Sequence, residues 1–150
     1  MSDQRQAEDP GIEAWELLLR TQAALVPVLS DQLEAATGIP LSWYDVLLEL
    51  ARSSDHRLTM SELGGRVVLS RSHSSRIVTA MEQAGLVEKS SDETDKRTTW
   101  ASLTRKGHRE FRAAATVYLA AIETHFASHL TAAQSRAIAK GLKSVLANSS

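Results

Sequence analysis

The chain of 150 residues contains no cysteine. This absence excludes disulfide frameworks, cysteine-rich zinc sites, thiol catalysis and peroxide sensing through a thiol. Long apolar runs are also missing, because Arg20, Pro27 and Asp31 interrupt the longest candidates before they reach the ~20 residues of a membrane span. Met1–Pro10 are polar and acidic, unlike a secretory signal peptide, and we expect this segment to be flexible.

Charge is distributed unevenly along the chain, although the formal net charge is only −1. Residues 1–34 carry seven acidic side chains against two arginines, a net charge of −5. Residues 58–112 carry ten Lys and Arg against seven Asp and Glu, a net charge of +3. This asymmetry predicts that the middle of the chain faces a polyanion, with ordinary charge scatter as the alternative.

The first half of the chain predicts four helices. Apolar residues at helical spacing indicate an amphipathic helix over about residues 11–37, which Pro27 should kink before Gly38 ends it. Three cap signals predict the next helix starts: Ser42 with Asp45, Thr59 with Glu62, and Ser70 alone. The third helix should end near Val67 and the fourth at Ala84, where Gly85 provides a positive φ.

The second half begins with a change of period. Residues 86–88 indicate a strand, 90–98 a turn and 99–103 a returning strand. Thr104 should cap a long helix, and Thr131 with Gln134 a final one, while Ala147–Ser150 are expected to be disordered. The predicted fold is therefore mainly α with a small β-hairpin (α+β), the element order of a winged helix-turn-helix.

The segment from Ser70 to Arg76 carries serines, arginines and a histidine but no acid. In a helix-turn-helix, the N-terminal half of the second helix reaches base edges in the major groove, where Arg binds guanine and hydroxyls bind phosphates. A solvated surface is the alternative. At the predicted hairpin tip, Arg97 can enter a minor groove while Asp95 orients it through a charge-assisted bond. The candidate DNA-binding residues are Ser70, Arg71, Ser72, His73, Ser75, Arg76, Lys96 and Arg97.

These segments resemble one family, the bacterial MarR (multiple antibiotic resistance regulator) winged helix-turn-helix regulators. The resemblance rests on Leu58-Thr59-Met60-Ser61-Glu62-Leu63, Leu69-Ser70-Arg71-Ser72, Gly85-Leu86-Val87, Asp95-Lys96-Arg97 and Leu103-Thr104. It implies one MarR-like domain over 11–150, with a DNA-binding winged-helix part at about 41–103 and dimerisation helices at about 11–37 and 104–148. It also implies a homodimer with intertwined terminal helices, a palindromic operator, and release by a small aromatic or phenolic ligand.

Two further groups of residues have a functional and a structural interpretation. Trp15, Trp43, Tyr44 and Tyr118 could line a ligand pocket, and core packing explains them equally well. His125 and His129 stand four residues apart, as in a metal pair, but without a third ligand the favoured interpretation is no metal.

A ligand-responsive cytoplasmic repressor of transcription is the function that the sequence predicts best. A winged-helix module that binds protein instead of DNA is the alternative, although such a module does not need a cationic wing. Catalysis is least expected, because the chain has no Gly-rich phosphate loop, His-Glu-x-x-His pair or nucleophile elbow. No cofactor is expected.

Overall fold

The computed structural model describes residues 9–68 and 71–149. The chain divides into two compact units, Gln32–Tyr118, and Met1–Asp31 together with Leu119–Ser150. The α-helices of the described residues are α1 (Pro10–Thr37), α2 (Leu41–Arg52), α3 (Met60–Arg66), α4 (Ser74–Gln83), α5 (Arg105–His125) and α6 (Ala132–Ala147). The strands are β1 (Arg57–Thr59), β2 (Val87–Ser91) and β3 (Thr99–Leu103), and short 3-10 turns cover Ser54–His56, Arg71–His73 and Ala127–His129.

The core of the unit Gln32–Tyr118 forms around α2. This helix packs against α3, α4 and β3, because its aliphatic side chains recur at helical spacing. The largest fully buried side chains of this core are Leu33, Val46, Leu47, Leu50, Leu63, Val67, Val78, Met81 and Val87. The predicted recognition helix α4 and the wing, which is the hairpin of β2 and β3, are therefore mounted on one packed scaffold.

The sheet has three antiparallel strands in the order β1-β3-β2. The predicted hairpin is present as β2 and β3, but β2 extends further than expected, because Ser90 and Ser91 pair with Trp100 and Thr99. The sequence did not predict β1, which pairs Leu58 with Ala101 on the other edge of β3. The structure is thus an α+β winged helix-turn-helix in which the central strand β3 is paired on both edges.

Three of the predicted helix starts are confirmed. Complete capping boxes join Thr59 to Glu62 at α3 and Thr131 to Gln134 at α6. The Thr104 hydroxyl accepts a 2.9 Å hydrogen bond from the Gly107 N–H at the start of α5. These signals are local, and each satisfies amide groups that have no partner within the helix.

The predicted capping box of Ser42 and Asp45 is wrong. The N-cap of α2 is Pro40, which makes no side-chain cap hydrogen bond, and Ser42 already lies within the first turn. A capping box needs a side-chain acceptor and a backbone N–H at the N-cap, and proline has neither. Asp45 is instead buried and bonds a distant backbone group.

The fourth helix begins later than expected. The α-helical part starts at Ser74, after the 3-10 turn Arg71–His73, and its N-cap His73 makes no side-chain cap hydrogen bond. The predicted cap Ser70 lies outside the described residues. Gly85 has φ +79°, as expected for the residue that ends this helix.

The unit of Met1–Asp31 and Leu119–Ser150 exposes many large apolar side chains. Helix α1 is continuous through Pro27, so the kink stays a prediction. Helix α6 extends to Ala147, so the expectation of disorder is wrong at this residue, because the Asn148 N–H donates to the Val145 carbonyl at the end of the helix. No helix in the described part of the chain is long and apolar enough to cross a membrane. The exposed large apolar side chains of this unit are Ile12, Trp15, Leu17, Leu18, Leu19, Val28, Leu119, Ile138, Leu142, Val145 and Leu146.

Candidate nucleic-acid interface

Helix α4 has one buried face and one exposed polar face. Val78 and Met81 are fully buried, which anchors the helix to the core. The opposite side bears exposed polar side chains, and a shallow groove of about 550 Å³ runs along it. The groove is lined by Ser72, His73, Ser75, Arg76, Thr79, Ala80 and Gln83. The predicted Ser70 and the side chain of Arg71 lie outside the described part of the structure.

The C-terminal half of α4 is tied to the wing. The backbone N–H of Lys89 in β2 donates to Glu82 Oε2 at 3.1 Å, and Lys89 Nζ donates to Thr79 Oγ1 at 2.7 Å. Both acceptors lie on α4. The wing and the predicted recognition helix are therefore joined by direct hydrogen bonds.

Asp45 connects α2 to the segment that precedes the predicted recognition helix. Its side chain is 8% exposed, and Oδ2 accepts a 2.8 Å hydrogen bond from the backbone N–H of Val68. Val68 lies just after α3, in the turn of the helix-turn-helix. This role of Asp45 is not predictable from the sequence, because no local pattern identifies a partner 23 residues away.

The wing tip is a hydrogen-bonded turn, as predicted for this part of residues 90–98. Asp95 Oδ1 accepts from the Arg97 backbone N–H at 3.1 Å and lies 3.4 Å from Arg97 Nε. Thr98 N–H closes the turn by donating to the Asp95 carbonyl at 3.0 Å. The Arg97 side chain is 94% exposed, so its guanidinium is available to a partner. Lys96 is also exposed at this tip.

A second groove of about 520 Å³ joins the wing to the helix-turn-helix. Ser75 lines it from α4, and Lys89 and Arg97 line it from the wing. The remaining lining residues are Thr59, Met60, Ser61, Thr98 and Thr99. Hydroxyl, ammonium and guanidinium groups are the side chains that bind phosphate oxygens. One surface therefore combines residues from both predicted DNA-binding segments.

Two of the candidate pocket residues, Tyr44 and Tyr118, are in direct contact. Tyr44 and Tyr118 pack with ring centroids 4.8 Å apart, and Phe111 stacks on Tyr44 at 5.7 Å. Burial raises the pKa of both tyrosines, with a smaller contribution from Tyr118 for Tyr44 and from Asp45 for Tyr118. Trp43 is half-buried on α2, and Trp15 is 58% exposed in the other unit.

The two histidines considered for metal binding do not share one helix. His125 ends α5, whereas His129 lies in the separate 3-10 turn Ala127–His129, so the expected same-face spacing is wrong. Among the described residues, no group of three or more His, Cys, Asp or Glu side chains has a geometry that could hold a metal ion.

Comparison with known proteins identifies relatives of this chain. A sequence model of the MarR family matches residues 37–98. The transcriptional repressor MprA of Escherichia coli K12 is 29% identical over 96 residues, which cover 64% of this chain and 54% of MprA. The chain therefore spans about half the length of this curated relative.

Two solved structures from Streptomyces coelicolor extend the likeness to most of the chain. Sco3205, a MarR family transcriptional regulator crystallised in complex with DNA, is 28% identical with a TM-score of 0.82, over 89% of this chain and 83% of that one. AbsC, a MarR family transcriptional regulator, is 30% identical with a TM-score of 0.81, over 89% of each chain. With its winged helix-turn-helix and these matches, the chain belongs to the MarR family.

Proposed function

We propose that this chain is a cytoplasmic transcriptional regulator that binds double-stranded DNA at a palindromic operator as a homodimer. The observation that carries the proposal is the groove shared by Ser75 of α4 and by Lys89 and Arg97 of the wing. The exposed face of α4 enters the major groove, and Arg97 enters the adjacent minor groove, where negative potential attracts guanidinium. Repression follows from occupancy of the operator. The related Sco3205 was crystallised with DNA, which supports this role.

Binding to DNA should depend strongly on Arg76, which is exposed on α4. Loss of a base-reading arginine costs about 1–3 kcal/mol and relaxes specificity at one position. We therefore expect Arg76→Ala to weaken binding to fragments from the region around the chain's own gene, measured by fluorescence anisotropy. Arg112→Ala is the matched control, because Arg112 is an exposed arginine on α5. Equal effects of the two variants would contradict a specific role for Arg76, and failure of the wild-type chain to prefer any such fragment would overturn the proposed function.

Asp95 and Arg97 should act as a pair at the wing. Arg97→Ala removes the proposed minor-groove contact, so binding should weaken by about 1–3 kcal/mol. The free energy of unfolding should change little, since exposed ion pairs contribute about 0–1 kcal/mol to it. Asp95→Ala removes an acid near DNA, so simple electrostatics predicts tighter binding, whereas loss of the orienting hydrogen bonds predicts weaker binding. We expect weaker binding in anisotropy titrations at one fixed salt concentration. Tighter binding by Asp95→Ala would exclude the orienting role.

The exposed apolar residues of α1 and α6 support a homodimer. Large apolar side chains exposed in this number on one unit are typical of an interface, and Trp15 and Leu146 are 58% and 73% exposed. Light scattering at micromolar concentration should give twice the monomer mass of 16.4 kDa. Leu146→Glu should shift the mass towards the monomer, because a charge in an apolar interface is costly. A wild-type monomer would contradict the dimer.

A small aromatic or phenolic effector is the proposed signal for release from DNA. Tyr44 and Tyr118 are the candidate contacts, together with Trp43, and all three lie in the unit Gln32–Tyr118. An ordinary tyrosine is protonated at neutral pH, and burial raises the pKa of both tyrosines further, so each phenol can donate a hydrogen bond to an anionic ligand. Binding of the effector should lower the affinity for DNA by the same factor that DNA lowers the affinity for the effector.

A further inference from the structure

The wing tip is organised around the carboxylate of Asp92. Its Oδ2 accepts hydrogen bonds from Thr94 N–H at 3.1 Å, from Thr94 Oγ1 at 2.8 Å and from Asp95 N–H at 3.0 Å. Its Oδ1 accepts from Trp100 Nε1 at 2.9 Å. One side chain therefore joins the first half of the turn to an indole eight residues further along the chain.

Trp100 is held in place by the sheet rather than by the tip. It lies in the central strand β3, where it pairs with Ser90 of β2 and Thr59 of β1. The guanidinium carbon of Arg57 lies 4.2 Å from the centroid of its ring, within the range of a cation–π contact. The indole N–H is thus a fixed donor, and the Asp92 carboxylate that it binds is fixed with it.

The bonds continue from Asp92 to the exposed arginine. Asp92 binds the backbone N–H of Asp95, and the Asp95 carboxylate binds both the backbone N–H and Nε of Arg97. We propose that Asp92 and Trp100 are positioning residues for Arg97, which tie the wing tip to the sheet and set the direction in which the guanidinium projects. This inference rests on the proposed DNA-binding function.

The negative charge of Asp92 supports a positioning role in addition to its hydrogen bonds. A carboxylate at a surface that faces phosphates opposes binding electrostatically, so an acid here needs a compensating role. Hydrogen bonds from Trp100, then from Thr94, and then from the Asp95 backbone hold the pKa of Asp92 well below its usual range. The donors therefore stabilise the ionised form of Asp92.

The change in DNA affinity caused by Asp92→Asn separates the positioning role from simple electrostatics. Asp92→Asn and Glu93→Gln each remove one negative charge from the wing tip, and Glu93 is an exposed neighbour of Asp92. Electrostatics alone predicts that both variants bind operator DNA more tightly. We expect Asp92→Asn to bind about 3- to 10-fold more weakly than Glu93→Gln at one fixed salt concentration, as loss of a charge-assisted network implies.

Trp100→Phe tests the same bond from its other end. It removes the indole N–H and keeps an aromatic ring, and we expect a loss of binding of about 3- to 10-fold. The double variant Asp92→Asn/Trp100→Phe should bind about as well as the weaker single variant, because both remove one interaction. Thermal unfolding followed by circular dichroism verifies that each variant is folded. If Trp100→Phe fails to fold, Asp92→Asn with its Glu93→Gln control still decides the proposal, because Asp92 lies in the turn outside the strands.

A measurement without DNA distinguishes the positioning network from the proposed function. The carboxyl carbon of Asp92, followed by NMR during an acid titration, should shift at a lower pH in the wild-type chain than in Trp100→Phe. A lowered pKa in the folded state contributes stability above the ordinary Asp pKa and loses it as the pH falls through the folded value. Unchanged titration in Trp100→Phe, or Asp92→Asn binding as tightly as Glu93→Gln, would overturn the proposal. If Asp92 titrates at a lower pH in the wild type than in Trp100→Phe, but the wild type does not bind DNA, the proposed function would be overturned and the network would remain.

Discussion

Gly107→Ala is expected to destabilise the unit Gln32–Tyr118 by about 3 kcal/mol or more, because overpacking of backbone against backbone cannot be relieved by a rotamer change. A Cβ on Gly107 would overlap the carbonyl oxygen of Leu86 and lie 3.1 Å from Leu103 Cδ2. That carbonyl already accepts a 3.1 Å hydrogen bond from Thr104 N–H, and Thr104 Oγ1 donates to the Gly85 carbonyl at 2.6 Å. The start of α5 is therefore pinned to the end of the α4 segment, with no room for a methyl group.

Gly141→Ala is the control for this effect. Gly141 lies inside α6, and a Cβ there would meet no atom within 4 Å. Replacing a helical glycine in open space should stabilise by roughly 0.5–1 kcal/mol. Urea unfolding of the full chain, followed by circular dichroism, compares the two variants. Equal stability of Gly107→Ala and Gly141→Ala would show that the close approach between α5 and Leu86 is not a constraint.

Asp45→Ala is expected to lower both stability and DNA affinity. The substitution leaves the Val68 N–H without its acceptor in a part-buried site, at a cost of about 1–3 kcal/mol. Because Val68 precedes the predicted recognition helix, the turn should loosen, and operator affinity should fall by about tenfold or more if ~1.4 kcal/mol of that cost is expressed in binding.

Two companion variants make the Asp45 result specific. Asp45→Asn keeps one oxygen acceptor, so we expect an intermediate loss of affinity. Glu49→Ala removes one negative charge from the same helix. It should leave the free energy of unfolding and the DNA affinity nearly unchanged, because Glu49 is only half-buried. Urea unfolding and anisotropy titrations measure both properties. Equal effects at Asp45 and Glu49 would mean that charge on α2 matters, rather than the hydrogen bond to the turn.

Local signals in the sequence predicted most of the helix boundaries. The capping boxes at Thr59 and Thr131 are confirmed, because donor and acceptor lie three residues apart and need no tertiary contact. The same spacing failed at Ser42 and Asp45. Pro40 occupies the N-cap there, and the buried carboxylate of Asp45 instead bonds Val68 at long range. The capping pattern therefore failed where proline occupies the N-cap and the side chain at the third helical position is bonded elsewhere.

Elements that depend on tertiary pairing were not predictable from the sequence. Strand β1 has three residues, too few for an alternating pattern, and it exists because its backbone pairs with β3. The roles of Asp92 and Trp100 were missed for the same reason, since their bond spans the wing turn. Arg97 and Asp95 were identified because they lie two residues apart, within one short motif.

Footprinting on an operator fragment tests the central claim most directly. Hydroxyl-radical cleavage of a palindromic fragment from beside the chain's own gene should show two protected segments related by the dyad, with centres about one helical turn, ~34 Å, apart. In Arg97→Ala, the two segments contacted by α4 should stay protected. The minor-groove protection that flanks them should be lost, because only the wing contact is removed. A single asymmetric footprint, or full flanking protection by Arg97→Ala, would contradict a dimeric winged-helix regulator that reads DNA with α4 and the wing together.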